Sequence, residues 1–286
     1  MMQGGQQTPV RSVAQDCITG HKSPIRNGRA PCHTPRQDPA PGVATGRSEA
    51  SLAGMPDAPV PDSDALFAAG VDLRAQGITA QRGGEWHRAS DLFTEAEKRF
   101  HQAGLGAQVA WTMLHQGQVQ ERLGEPVQAI ALFTGAEAML RYAGDRNGVP
   151  LCFRRRGDVL RRQRRQEAAM AQYCEGEALY RTHHDPLGMV GILVGKALSY
   201  LAMGRRIEAH AAVAESLWKL QQQPPSQGAD LFLIHAIAAR VLGMAGEADA
   251  AQANLARAAT IARMAGLRED RSDPDVESEL QLIQAG

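Results

Sequence analysis

The chain has 286 residues, 43% hydrophobic, 22% charged and only 5% aromatic, with a formal net charge of zero. A neutral chain has no whole-molecule field to draw it to nucleic acid or a membrane surface, and no apolar run approaches the roughly 18 residues of a membrane span. Four cysteines, Cys17, Cys32, Cys152 and Cys174, are too few and too scattered for a disulfide framework. With no apolar secretory leader either, the expectation is a soluble, cytoplasmic protein of bacterial type. The bias of 27 Arg against 4 Lys is what a GC-rich genome produces, although Arg also suits bidentate contacts with carboxylates or phosphates.

Residues 1–62 are rich in Pro, Gly and Gln, their apolar residues are isolated, and no period of 2 or 3.6 emerges. Such a segment buries too little apolar surface to offset its conformational entropy and is expected to be disordered. Met55, just before PDAPVPDSD, is an alternative start for the chain. From Asp64 the helical period takes over, with Asp62, Ser63 and Asp64 as candidate N-cap side chains. ALFAAGVDLRAQGITAQ forms a first helix, Gly83 and Gly84 break it, and EWHRASDLFTEAEKRFHQA forms a second.

The pair then recurs over residues 63–268. Gly77, Gly117, Gly157, Ala197 and Ala239 form one register, and Gly84, Gly124, Arg164, Gly204 and Gly246 a second. Ala89, Ala129, Ala169, Ala209 and Ala251 form a third, and Ala96, Ala136, Gly176, Ser216 and Ala258 a fourth. Successive spacings are 40, 40, 40 and 42 residues in each. Self-similarity at such a period marks a stacked repeat architecture. Mid-helix glycine costs about 0.5–1 kcal/mol against alanine, so its repetition implies a repeated benefit, close helix-to-helix approach. Phe93, Phe133, Tyr173, Val213 and Leu255 recur in a fifth register and are expected to fill the groove so created. Residues 269–286 are polar, and 274–285, with Val276, Leu280 and Ile283 at helical spacing, read as a capping helix over repeat five.

At these residues the chain resembles the tetratricopeptide repeat family. The small residue of the first helix, the turn glycine and the Ala–aromatic–Ala series of the second helix match, most closely in RLGEPVQAIALFTGAEAML and AMGRRIEAHAAVAESL. Departures are the 40-residue period, Arg164 for the turn glycine, Gly176 for alanine, and a fifth repeat entered through Pro224 and Pro225. The resemblance implies an all-α, right-handed superhelical solenoid of about five helix pairs, closed by the capping helix. It also implies a concave surface lined by the first helices. Transferred by register, that surface takes Arg74 from repeat one and Trp111, Leu114, Gln118 and Glu121 from repeat two. Repeat three supplies Leu151, Arg154, Asp158, Arg161 and Arg162, and repeat four Val194 and Leu198.

The densest charge feature, RRRGDVLRRQRRQ from Arg154 to Gln166, carries seven arginines within twelve residues on that first helix of repeat three. An Arg-rich strip flanked by apolar residues suits an acidic peptide with a hydrophobic anchor. Arginines facing the groove without partners in the chain would favour that reading; arginines already paired with Glu or Asp would make the strip a neutralised helix face. Leu114, Gln118, Arg154 and Asp158 stand where the family's chaperone-tail clamps need Lys and Asn, so that clamp is not expected. Cys17, His21, Cys32 and His33 fit no ordinary zinc spacing, His183 and His184 read as a basic pair at a helix C-terminus, and Cys152 and Cys174 read as small core hydrophobes. No GxSxG, P-loop, HExxH or strand-borne GxGxxG occurs. The expectation is therefore a non-catalytic protein-interaction scaffold without cofactor or metal, binding an extended or acidic peptide. Nucleic-acid contact through the Arg154–Arg165 strip and self-assembly by end-to-end stacking are the alternatives.

Overall fold

The structure, a computed structural model, describes residues 62–221, 229–267 and 274–285. The expectations for the N-terminal segment, including its cysteines and histidines, lie outside these residues. Among the described residues there are eleven helices and no strand. They pair as α1 (Ser63–Arg82) with α2 (Trp86–Gln102), α3 (Gly106–Arg122) with α4 (Pro126–Tyr142), and α5 (Gly148–Arg162) with α6 (Gln166–His183). The series continues with α7 (Pro186–Ala202) and α8 (Arg206–Gln221), then α9 (Ala229–Ala245) and α10 (Ala248–Ala265), and α11 (Pro274–Ala285) closes it. The array is the all-α repeat solenoid expected from the 40-residue register. No described helix is long and apolar enough to cross a membrane.

Local chemistry sets the helix ends. The Asp62 carboxylate accepts from the Asp64 amide at 3.0 Å, capping α1, and Pro126 and Pro186 open α4 and α7 where a missing N–H costs nothing. At the turn within each pair the backbone must pass through the left-handed region. Gly84, Gly124, Gly204 and Gly246 do so at φ of 75°, 82°, 72° and 86°. Arg164 adopts the same conformation at φ 61° without being glycine, so the turn geometry is imposed by the packing around it.

The ladder of small residues is a packing device. A Cβ on Gly77, Gly117 or Gly157 would lie 2.6, 2.4 or 2.6 Å from a ring carbon of Phe93, Phe133 or Tyr173. All three rings are fully buried, as are Ala89, Ala129, Ala169 and Ala209 beside them. Each ring removed from water contributes on the order of 2–3 kcal/mol, which offsets the helical cost of the glycine that admits it. Repeats four and five put Ala197 and Ala239 in the glycine register and the smaller Val213 and Leu255 in the aromatic one. Gly176 departs from alanine because a Cβ there would lie 2.7 Å from Ile192 and 3.2 Å from the Pro150 carbonyl.

First helices of successive repeats also touch one another: α1 with α3, α3 with α5, α5 with α7, and α7 with α9. Contact between alternate helices belongs to the inner, more crowded side of a curved stack, so these helices line the concave face. The closing helix α11 packs on α9. Its Val276 is completely buried and shares one apolar cluster with Phe232 and Ile237 of α9, covering repeat five as expected. The side chains of Leu280 and Ile283 lie outside the described set.

Candidate functional site: an arginine groove holding carboxylates

The C-terminal halves of the first helices bring arginines onto the concave face. Arg122 ends α3, Arg161 and Arg162 end α5, and Arg240 lies in the C-terminal half of α9, before its last turn. Each is paired with a carboxylate of one helix, α11. Arg122 meets Glu277 at 2.7 Å and Arg240 meets Glu279 at 2.9 Å. Arg161 and Arg162 share Asp275, the second at 2.8 Å. The α11 carboxylates are well covered, with side-chain exposures of 15% for Asp275, 21% for Glu277 and 5% for Glu279.

Two of these arginines are also held by the array itself. Arg162 binds Glu121 of α3 at 2.6 Å, and the Arg122 guanidinium lies 4.7 Å over the Trp86 ring, a cation–π contact. Burial pushes the Asp275 carboxyl up, but the charges of Arg161 and Arg162 and the Arg161 hydrogen bond outweigh it and hold it below the usual carboxylate range. The Glu279 carboxyl is instead raised, because burial exceeds what Arg240 returns and Asp275 adds like charge. Arg161 is raised by Asp275 against its own burial, the largest opposing effect.

Of the residues expected on the groove, Glu121, Arg161 and Arg162 converge at this site. Arg154 and Asp158 lie on the same helix, with Arg154 3.9 Å from the Asp158 carboxylate. Asp158 is buried and accepts from the Tyr173 hydroxyl at 2.8 Å. A Cβ on Gly191 would collide with the Arg154 guanidinium at 2.2 Å, so that glycine makes room for it. Gln118 lies 2.9 Å from the Gln81 amide and within 3.0 Å of the Arg155 guanidinium. Towards the N-terminal repeats, Arg74 donates to Gln108 at 2.6 Å and Trp111 donates to Asp145 at 2.9 Å. Leu114 is buried against Phe133 and its neighbours, packing between helices, and Leu151 lies partly buried against the same cluster. Val194 is buried in the cluster that also holds Val276, and Leu198 packs on its edge.

The other α5 arginines of the strip are also paired within the chain. Arg156 pairs with Glu137 at 2.6 Å and donates to Gln172 and Thr134, and Arg155 lies 4.0 Å from Asp158. The strip on α5 is thus a set of ion pairs, and only Arg164 and Arg165 beyond it are exposed cations. Arg122, Arg240, Asp275, Glu277 and Glu279 were not anticipated as site residues. The visible signal was the acidic PDVESEL at the start of α11, whose carboxylates a capping reading assigns to solvent. Among the described residues, no cluster of three His, Cys, Asp or Glu is placed to hold a metal. Cys152 is buried, and burial pushes its thiol up to about 12, so it stays protonated as a small core hydrophobe. What the site can do chemically is present guanidinium forks to carboxylates.

A stacked array of helix pairs whose first helices line the concave face defines a tetratricopeptide-like helical repeat protein. Solved structures with this fold include BtubC (BKLC) from P. vanneervenii, 18% identical, covering 72% of this chain and 85% of that one, with a TM-score of 0.58. The Rap conjugation gene regulator of the plasmid pLS20, solved in complex with the Phr* peptide, is 15% identical over 83% of this chain and 69% of its own, with a TM-score of 0.63. A kinesin light chain from Podosopora anserina with nearly identical TPR-like repeats is 13% identical over 71% and 98%, at a TM-score of 0.50. No family model matches the sequence, and no curated protein matches it as a relative.

Proposed function

We propose that this chain is a non-catalytic protein-interaction scaffold whose concave groove binds an acidic segment of a partner protein. The observation that carries this reading is the convergence of arginines from three first helices on the carboxylates of a single helix. Arg–carboxylate contacts of this kind fix register through geometry as well as charge. The groove spans several repeats, so affinity is spread along it, as in helix-in-groove recognition. The likeness to a regulator crystallised with a peptide supports a peptide-sized partner for this fold. Nucleic acid draws little support from the strip, because Glu121, Glu137, Asp158 and Asp275 pair with its five arginines on α5 and only Arg164 and Arg165 stay exposed. The same pairing means that an acidic segment must displace α11 to reach Arg161 and Arg162.

Panning a displayed library of twelve-residue peptides on the full chain tests the reading. Recovered peptides should be rich in Asp and Glu, with affinity falling at least tenfold in Arg122→Glu/Arg240→Glu. Peptides without acidic bias, or binding indifferent to those arginines, would overturn it.

A further inference from the structure

We propose that α11 is the groove's occupant in cis, and that the partner is an amphipathic helix repeating its pattern: two carboxylates one turn apart, a third on the opposite flank, and an apolar residue between. The proposal rests on the reading of the groove as a binder of acidic segments.

The pattern follows from helical geometry. Asp275 and Glu279 are four residues apart and share a face, Glu277 lies on the far flank, and Val276 sits between them. Val276 and Glu279 are buried, Asp275 and Glu277 are half-buried, and Ser278 is exposed. All three carboxylates of the helix are therefore used inward. A helix that only capped the end of a solenoid would need an apolar inner face and a polar outer one. This helix instead spends its charges on arginines of repeats two, three and five, reaching along the array and not merely over its last unit.

The receptor side is built without it. Glu121 holds Arg162, and Trp86 holds Arg122, so both guanidiniums stay oriented when α11 leaves. The helix itself is short, at 12 residues, and helices below about 12–15 residues are marginal alone in water. Its ion pairs add specificity more than net attraction, because desolvation offsets much of the Coulomb gain. A partner helix with the same carboxylates, paid for by its own folded context, can therefore compete for the site. Tethering gives α11 an effective concentration on the order of millimolar, so the closed chain admits only partners that outcompete it.

The experiment is a titration of the full chain with a labelled peptide PDVESELQLIQA, residues 274–285. Wild type should bind it weakly, and Asp275→Asn/Glu277→Gln/Glu279→Gln, whose own helix has lost its charges, at least tenfold more tightly. The same peptide with its three carboxylates neutralised should bind neither. Equal binding to both chains overturns cis occupancy and leaves the groove reading intact. Failure of both chains to bind the peptide, while library-derived acidic peptides still bind, overturns the partner pattern alone. If the acidic library peptides fail as well, the groove reading falls. Hydrogen exchange on wild type needs no variant: amides of 274–285 should exchange faster when the peptide saturates the chain, and unchanged protection overturns the proposal.

Discussion

Arg164 is the residue at which sequence and backbone disagree most sharply. It occupies the left-handed region at φ 61°, where four of the five repeats use glycine. That conformation costs an L-residue with a Cβ on the order of 1–2 kcal/mol, and glycine returns part of the gain through its looser unfolded state. Arg164→Gly should stabilise the chain by about 0.5–1 kcal/mol, read as a rise in thermal midpoint; an unchanged or lower midpoint would contradict it. A second residue carries the pH dependence. His115 stacks on Phe93 with ring centroids 5.3 Å apart, and burial first, then the charges of Arg74 and Arg155, lower its pKa from 6.5 to about 4. Between those values the unfolded chain takes up a proton that the folded chain refuses, so stability falls as pH drops from about 6.5 to 4. The loss is on the order of 2–3 kcal/mol. Urea titrations of wild type and His115→Gln should show a shallower pH dependence in the variant across that window.

Within a repeat, the glycine and the ring that covers it act as one unit. Gly117→Ala improves intrinsic helix propensity by about 1 kcal/mol, yet its methyl would sit 2.4 Å from the Phe133 ring. Overpacking of this kind costs roughly 1–3 kcal/mol, so Gly117→Ala should destabilise the chain. Phe133→Leu should recover part of the loss, and a double-mutant cycle should return a coupling between the two sites of about 1 kcal/mol; additive effects would show that the ring yields freely. This level was open to reading because small and aromatic residues recur at one pitch and the partners lie sixteen residues apart, as Gly117 and Phe133 do. Arg164 and Gly176 read as lapses in the pattern, yet the first keeps the turn conformation and the second admits Ile192. Their reasons lie in contacts that periodicity does not encode.

At the scale of the whole molecule, a net charge of zero conceals a specific match between four arginines of the array and the carboxylates of the closing helix. Part of the arginine half, Arg161 and Arg162, stood out in the sequence because it is clustered on one helix, whereas Arg122 and Arg240 lie singly on others. The carboxylate half did not, since Arg162 and Asp275 are 113 residues apart and no pattern links positions so distant. Their separation also sets how the pair responds to mutation. Removing one partner of a buried ion pair costs about 3–5 kcal/mol when the other charge stays trapped. On the proposed exchange α11 leaves and returns Arg161 and Arg162 to water, so the loss is capped at the docking free energy of one short helix. Asp275→Asn should therefore cost less than about 2 kcal/mol in global stability, with faster hydrogen exchange confined to 274–285. A global loss of the full buried-pair size would show that the helix cannot detach.

The same separation has a temporal side. Repeats two and three emerge from the ribosome long before the acidic helix that covers their arginines. With 113 residues between Arg162 and Asp275, synthesis at roughly 5–20 residues per second leaves an interval of about 6–23 s. Neighbouring repeats need only each other to fold, so for most of that interval Arg122, Arg161 and Arg162 are in place without α11, and Arg240 of repeat five joins them only late. A partner present at the site of translation meets no resident competitor, whereas one arriving later must displace it.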